Sequence, residues 1–201
     1  MKKYILLAII AFLAASTNAQ LPQKAEDISP LLFGETIPDV ALTATDGTQH
    51  QLYSVIKEKP TVLLFYRGGW CPYCNQHLAE IQDVEDEVTQ LGYQIVGISP
   101  DSPENLQNTD EEKELNYRLF SDGEGKLSKA VGIAYQGPEK YGDMLKKSSD
   151  GLNDEGFLPV PAVFVVDDQG VIHFEYINPD YTTRLSGELL LAVLKTLKFD
   201  Q

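Results

Sequence analysis

Apolar residues along the chain follow two different rhythms, and the alternation between them outlines the fold. Thr61-Val62-Leu63-Leu64-Phe65-Tyr66 is apolar at nearly every position and rich in β-branched and aromatic residues, the pattern of a central strand covered on both faces. Leu78, Ile81, Val84, Val88 and Leu91 then recur at steps of three and four, predicting one amphipathic helix from Asn75 to Leu91 with Gly92 as its stop. Tyr93 to Ile98 returns to strand character, so the three segments form a right-handed strand-helix-strand unit with a parallel pair. Ser102-Pro103-Glu104 reads as a cap and first turn of a second helix running towards Leu115. A short strand over Tyr117 to Phe120 and a short helix over Lys126 to Val131 follow. Ala162 to Val166 and Val171 to Tyr176 are strand runs joined through Gly170, and Leu185, Leu189, Val193 and Leu197 space out a final helix.

Two regions depart from this regularity. Ile37 to Leu42 and His50 to Tyr53 bracket the turn dipeptide Asp46-Gly47, which predicts an N-terminal β-hairpin. Ala134 to Leu158, rich in Gly, Lys, Asp and Ser with a helical turn near Tyr141 to Lys146, reads as an insertion close to a surface or a mouth. The pattern gives an α/β protein with a central mixed sheet, flanking helices and the hairpin as an extension.

The first residues belong to a different class. Met1-Lys2-Lys3 precedes an apolar stretch from Tyr4 to Ala15 and the small-residue site Ser16-Thr17-Asn18-Ala19, the order of a secretory leader cut after Ala19. A bilayer span needs about 20 apolar residues, more than this core supplies. The expected organisation is a leader over 1–19, a polar lead-in over 20–33 and one domain over 34–201, exported to the periplasm or beyond, with no lasting membrane insertion. A net charge of −14 argues against a nucleic-acid partner, since phosphate binding needs clustered cations.

The chain has two cysteines, both in Gly68-Gly69-Trp70-Cys71-Pro72-Tyr73-Cys74, between a buried strand and a helix. Unpaired backbone N–H groups and the positive end of the helix dipole stabilise an anion there, moving a thiol from about 8.5 into a range of about 3.5 to 7.5. A second thiol one turn away can resolve a mixed disulfide or a sulfenic acid on the first. Three chemistries compete for the motif. A structural disulfide closing so short a loop stabilises by only roughly 2 kcal/mol. Zinc wants four ligands in a structural site, and although His77 follows at a plausible interval no further cysteine exists. Redox chemistry fits best, with no metal and no cofactor.

Gly34, Pro38, Asp39 and Asp46-Gly47, then Phe65 through Cys74, Gly97-Ile98-Ser99-Pro100-Asp101-Ser102, Phe120-Ser121-Asp122 and Pro161 before Phe164 together carry a family resemblance. With these motifs the chain resembles the thioredoxin-like superfamily in its peroxiredoxin-like branch, the alkyl hydroperoxide reductase and thiol-specific antioxidant group, from about residue 34 to 197. The resemblance implies a thioredoxin-like fold and makes Pro161 a cis-proline beside the dithiol, leaving backbone free to pair with a substrate chain. It departs from typical peroxiredoxins in one pocket. Arg67 stands where the family has proline, Cys71 where it has threonine, and Pro161 where it commonly has the arginine that helps bind peroxide.

Two functions therefore compete. In the thioredoxin register the protein is a thiol-disulfide oxidoreductase, with Cys71 as exposed nucleophile and Cys74 resolving, acting on a redox partner protein. In the peroxiredoxin register it is a thiol peroxidase, with Cys74 attacking hydrogen peroxide or an alkyl hydroperoxide and Cys71 resolving. Disulfide exchange is the first expectation because Trp70-Cys71-Pro72-Tyr73-Cys74 and Pro161 all fall in its register; a non-enzymatic protein with a structural disulfide is the weakest. Disulfide exchange requires an exposed apolar rim around Cys71, formed by Trp70 and Tyr73. Peroxide chemistry requires a recess with donors such as Arg67 aimed at an oxygen. His77, on the first helical turn, is a candidate proton partner or a solvent-facing residue.

Overall fold

A computed structural model describes residues 20–197, so the expected leader lies outside the described residues. The chain runs β1 (Ala41–Ala44), β2 (Gln49–Gln51), α1 (Leu52–Ile56), β3 (Thr61–Phe65), α2 (Pro72–Gln82), α3 (Glu85–Gln90), β4 (Gln94–Ser99) and α4 (Pro103–Lys113). It continues with β5 (Arg118–Ser121), α5 (Lys126–Ala130), β6 (Ala134–Gln136), α6 (Gly142–Ser148), β7 (Phe157–Pro159), β8 (Ala162–Val166), β9 (Ile172–Ile177) and α7 (Gly187–Thr196).

Seven strands form one mixed sheet in the order β2-β1-β5-β4-β3-β8-β9, and β6 pairs with β7 apart from it. β3 lies parallel to β4 and antiparallel to β8, with Leu63 opposite both Val96 and Phe164. Its continuous apolarity has the expected cause. Leu63 and Phe65 join a core on one face with α1, α5 and the 134–158 segment, while Val62, Leu64 and Tyr66 join a second core under α2, α3, α4 and α7. Cys71 and Cys74 belong to that second core. Each fully buried Leu or Val contributes about 1.5–3 kcal/mol relative to exposure, so both faces hold the sheet.

Several boundaries differ from expectation. The strand expected over His50 to Tyr53 stops at Gln51, and Leu52 opens α1. β1 pairs antiparallel with β2 and also with β5, so these strands end the main sheet instead of extending from it. The single helix expected over 75–91 is two helices, broken at Asp83-Val84. Asp83, Glu85, Asp86 and Glu87 crowd like charges there, and Asp and β-branched Val are poor helix formers. The break seats Val84 against Gly187, where an added Cβ would come within 3.0 Å of it. α7 starts later than the Leu185 periodicity implies, because the Ser186 side chain caps it by accepting from the Leu189 N–H at 3.2 Å.

The segment from 134 to 158 is structured and packs at the site. Asn105 Nδ2 and the Ser102 N–H both donate to the Ser148 carbonyl at 2.8 Å, tying α6 to the start of α4.

Candidate active site

β3 delivers the chain to the site one residue past its end: the Tyr66 N–H donates to the Ile98 carbonyl at 3.0 Å. The chain must then turn sharply to start α2, and Gly68 makes that possible with φ +136°, where a Cβ would lie 2.3 Å from Trp70 Nε1 and 2.7 Å from Asp101 Oδ1. The Gly69 N–H donates to Asp101 Oδ2 at 2.7 Å, and Asn75 Nδ2 donates to the Gly69 carbonyl at 2.7 Å. Cys71 becomes the N-cap of α2, and Pro72 fills the first helical position, where a missing N–H costs nothing.

Both sulfurs are free thiols and both are enclosed, Cys71 at 1% and Cys74 at 0% exposure. The Cys71 pKa is drawn down to about 6: the Cys74 thiol and its backbone N–H donate to it, and the charges of Arg67 and Arg184 add to outweigh burial. Burial, then the Cys71 anion, push Cys74 well above the usual thiol range. The dithiol therefore shares one proton at neutral pH, the anion resting on Cys71 and the S–H of Cys74 pointing at it.

Arg184 reaches this pair from 110 residues away in sequence. Its Nη2 donates to Cys74 Sγ at 3.4 Å, while its Nε and Nη1 are buried without a hydrogen-bond partner among the described residues. Beside it, His77 is buried at 4% exposure and bonds through Nε2 to the Leu185 carbonyl at 2.9 Å. A carbonyl only accepts, so His77 carries its proton on Nε2; burial and then the Arg184 charge hold its pKa down to about 4, keeping it neutral. Neither sequence expectation for His77 holds. It does not face solvent, and a ring whose pKa lies near 4 and whose Nε2–H is engaged is a tether for the 184–185 segment instead of a proton partner for the thiols.

Arg67 is also buried, at 2% exposure, and it makes no ion pair among the described residues. Its guanidinium lies 4.2 Å from the ring centre of Tyr181 and 5.1 Å from those of Trp70 and Tyr141. The rings come from three segments: the turn before α2, the 134–158 segment and the loop between β9 and α7. A cation over an aromatic face is stabilised without a carboxylate. The Tyr141 hydroxyl also bonds Arg67, which lowers the tyrosine's own pKa.

Of the residues singled out from the sequence, Arg67, Trp70, Cys71, Pro72, Tyr73 and Cys74 come together. Trp70 is half-buried against Tyr141, and Tyr73 stands 43% exposed with its ring edge-on to Tyr181. Pro161 requires a correction, since no peptide bond among the described residues is cis. Pro161 precedes the β8 ladder, so its missing N–H leaves no strand bond unmade. Its neighbours are already paired: the Val160 N–H donates to the Ile133 carbonyl at 2.9 Å, and the Asn178 N–H to the Pro161 carbonyl at 3.2 Å. The Val160 N–H and the Pro161 carbonyl are therefore not free to pair with a substrate chain.

A small cleft of about 180 Å³ opens beside the dithiol, lined by Tyr73, His77, Glu80, Thr182 and Arg184 among others. Another cleft, of about 780 Å³, is lined by residues such as Leu21, Ser29, Lys129 and Glu155 and holds no group of the dithiol site. Among the described residues no group of three His, Cys, Asp or Glu is placed to hold a metal ion, and no helix is long and apolar enough to cross a membrane.

Residues 33–175 match the AhpC/TSA family. Peroxiredoxin Bcp of Escherichia coli K12 is 27% identical over 168 residues, 84% of this chain and 98% of that protein. A putative peroxiredoxin bcp of Haemophilus influenzae is 29% identical over 133 residues, 65% of this chain and 81% of that one. Among solved structures, reduced Prx3 from Vibrio vulnificus in complex with H2O2 superposes with a TM-score of 0.70 at 19% identity, covering 82% of this chain and 99% of that one. Peroxidoxin BcpB from Mycobacterium tuberculosis gives 0.66 at 22% identity, covering 83% and 98%. At these identities the two structures speak for a shared fold.

Proposed function

Starting from the fact that the chain belongs to the AhpC/TSA family and is a thiol-dependent oxidoreductase, we propose that it is a thiol peroxidase, with Cys74 attacking a hydroperoxide and Cys71 resolving. One observation carries this reading over disulfide exchange. The sulfurs lie enclosed, and Cys74 Sγ accepts from Arg184 Nη2 at 3.4 Å, so a polypeptide disulfide meets a closed wall where a small peroxide meets cationic donors. The paired backbone around Pro161 supports it further.

The chemistry follows from the shared proton. Against the resting preference for the anion on Cys71, Cys74 passes its proton to Cys71 across their hydrogen bond as the peroxide is attacked, and the Arg184 charge offsets part of that cost by stabilising the anion on Cys74. The Cys74 thiolate attacks the terminal peroxide oxygen, the O–O bond breaks, and the departing alkoxide or hydroxide takes the proton from Cys71 as an alcohol or water. Cys74 is now a sulfenic acid and Cys71 again a thiolate. Cys71 attacks the Cys74 sulfur, the S–S bond forms, and hydroxide leaves to be protonated by solvent. The dithiol has given two electrons to the peroxide, and a thiol donor, protein or small molecule, must return them.

The test is the second-order rate of thiol loss when the reduced protein meets hydrogen peroxide, against free cysteine corrected for thiolate fraction. The expected rate is far above that control, is lost in Cys74→Ser, and in Cys71→Ser still modifies Cys74, which then proceeds to sulfinic acid by mass spectrometry. A rate equal to the control returns the protein to disulfide exchange; a fast rate surviving in Cys74→Ser reverses the two sulfurs. We also propose export, supported by the leader pattern of residues 1–19. A mature product whose mass begins at Gln20 in the exported fraction supports that, and a cytoplasmic product retaining Met1 or Lys2 overturns it.

A further inference from the structure

α2 places Cys74 and His77 three residues apart, on one buried face. The segment before α7 answers them with consecutive residues: Arg184 donates to Cys74 Sγ at 3.4 Å, and Leu185 accepts from His77 Nε2 at 2.9 Å. The two helices' approach is thus fixed by a two-point clamp, one point of which is the reacting sulfur. We infer that His77 is the positioning residue of this site, holding the Leu185 carbonyl so that the Arg184 guanidinium stays on Cys74; the assignment rests on the peroxidase reading only for what Arg184 then does.

Three features argue for a positioning role over simple packing. Arg184 has no ion pair among the described residues and two of its buried nitrogens have no partner, so its own side chain does little to fix where it lies. Leu185 is 1% exposed, which makes its carbonyl a firm anchor next to Arg184 along the chain. His77 is a neutral donor. A lysine or arginine in its place would set a second cation beside Arg184, and a leucine would leave the buried carbonyl without its donor.

The cycle His77→Leu, Arg184→Met and the double variant tests this in the full-length reduced protein. Two readouts are followed: the hydrogen peroxide rate and the thiolate titration of the dithiol by absorbance near 240 nm. His77→Leu is expected to slow the peroxide rate about tenfold and to move the thiolate titration to higher pH, the loss being about that of one well-placed hydrogen bond. In the Arg184→Met background the same change should cost less than about twofold, because its route of action is already gone. His77→Gln, which can keep an N–H donor near the Nε2 position, is expected to recover most of the loss and guards against a variant that merely folds poorly. Additive losses, or a His77→Gln variant no better than His77→Leu, overturn the assignment. If the wild type reacts with peroxide no faster than free cysteine, the peroxidase reading falls, and the titration cycle still decides on His77.

Discussion

Arg67 and Arg184 flank the same dithiol, and neither makes an ion pair among the described residues, yet the two surroundings hold a buried cation in different ways. Arg67 sits among three aromatic rings and acts on the dithiol through its charge alone, which helps draw the Cys71 thiol down. Arg184 has one hydrogen-bond acceptor among the described residues, the Cys74 sulfur, whose charge changes in the proposed cycle. The difference separates architecture from chemistry. Arg67 draws together the turn before α2, the 134–158 segment and the loop before α7, while Arg184 donates directly to Cys74 Sγ, the proposed attacking atom.

The largest expected effect is therefore on stability at Arg67. Arg67→Ala removes a large, fully buried side chain from between three rings, and losses of about 3–5 kcal/mol accompany such truncations. For a domain of this size that lowers the melting temperature by roughly 6–20 °C, measurable by calorimetry. A fall of less than about 3 °C would show that the rings do not depend on the guanidinium, and the comparison would lose its structural half.

Arg184→Met is the complementary change. It keeps the apolar stem but removes a donor from Cys74, and deleting one such preorganised donor slows reactions by about 100-fold. The melting temperature should stay within about 3 °C, because two partnerless buried nitrogens leave with the charge. Stopped-flow peroxide kinetics beside calorimetry read both. A variant that loses stability but keeps its rate would make Arg184 a second Arg67.

The sequence reveals these two neighbourhoods unequally. The strands β3, β4, β8 and β9, and the capped start of α4 at Ser102-Pro103, are legible because periodicity, turn residues and caps all act within a few residues. The dithiol is legible for the same reason, since a strand, a glycine turn and a helix start lie together. Arg184, His77, Tyr141 and Tyr181 acquire their roles by contacts between distant segments, and nothing in Asp180 to Ser186 marks its arginine as different from a surface one. His77 carried one available signal, its place three residues after Cys74 on the same helix face, but what it meets there is set by the return of the chain before α7. The surroundings of Pro161 were hidden likewise: Val160 pairs with Ile133 and Pro161 with Asn178, and the residues around the proline do not encode those partners.

Asp101 joins the two neighbourhoods and offers the smallest and sharpest test. It is 1% exposed, holds the Gly69 N–H at 2.7 Å, and so spaces Arg67 from Cys71. Burial raises its pKa to about 6, against the help of Gly69, Ser148 and Ser99, from a usual value of 3.8. In the unfolded chain the carboxyl ionises near pH 4, while in the folded chain it keeps its proton to about pH 6. Between those values the native state binds more protons, so this group's contribution to stability is fully present below about pH 4 and is lost as pH rises through about 6. The difference amounts to about 2–3 kcal/mol, since each unit of pKa corresponds to about 1.4 kcal/mol. Asp101→Asn, which can still accept from Gly69, removes this pH dependence without changing the size of the side chain. Urea unfolding of both proteins from pH 4 to 7 should therefore show the wild type losing about 2–3 kcal/mol relative to the variant, the change centred between pH 4 and 6. A gap that stays constant over that range would mean Asp101 is ionised throughout, with some further donor near its Oδ1. The turn between Arg67 and Cys71 would then be held by a charge, and the anion on Cys71 would form against a neighbouring negative group.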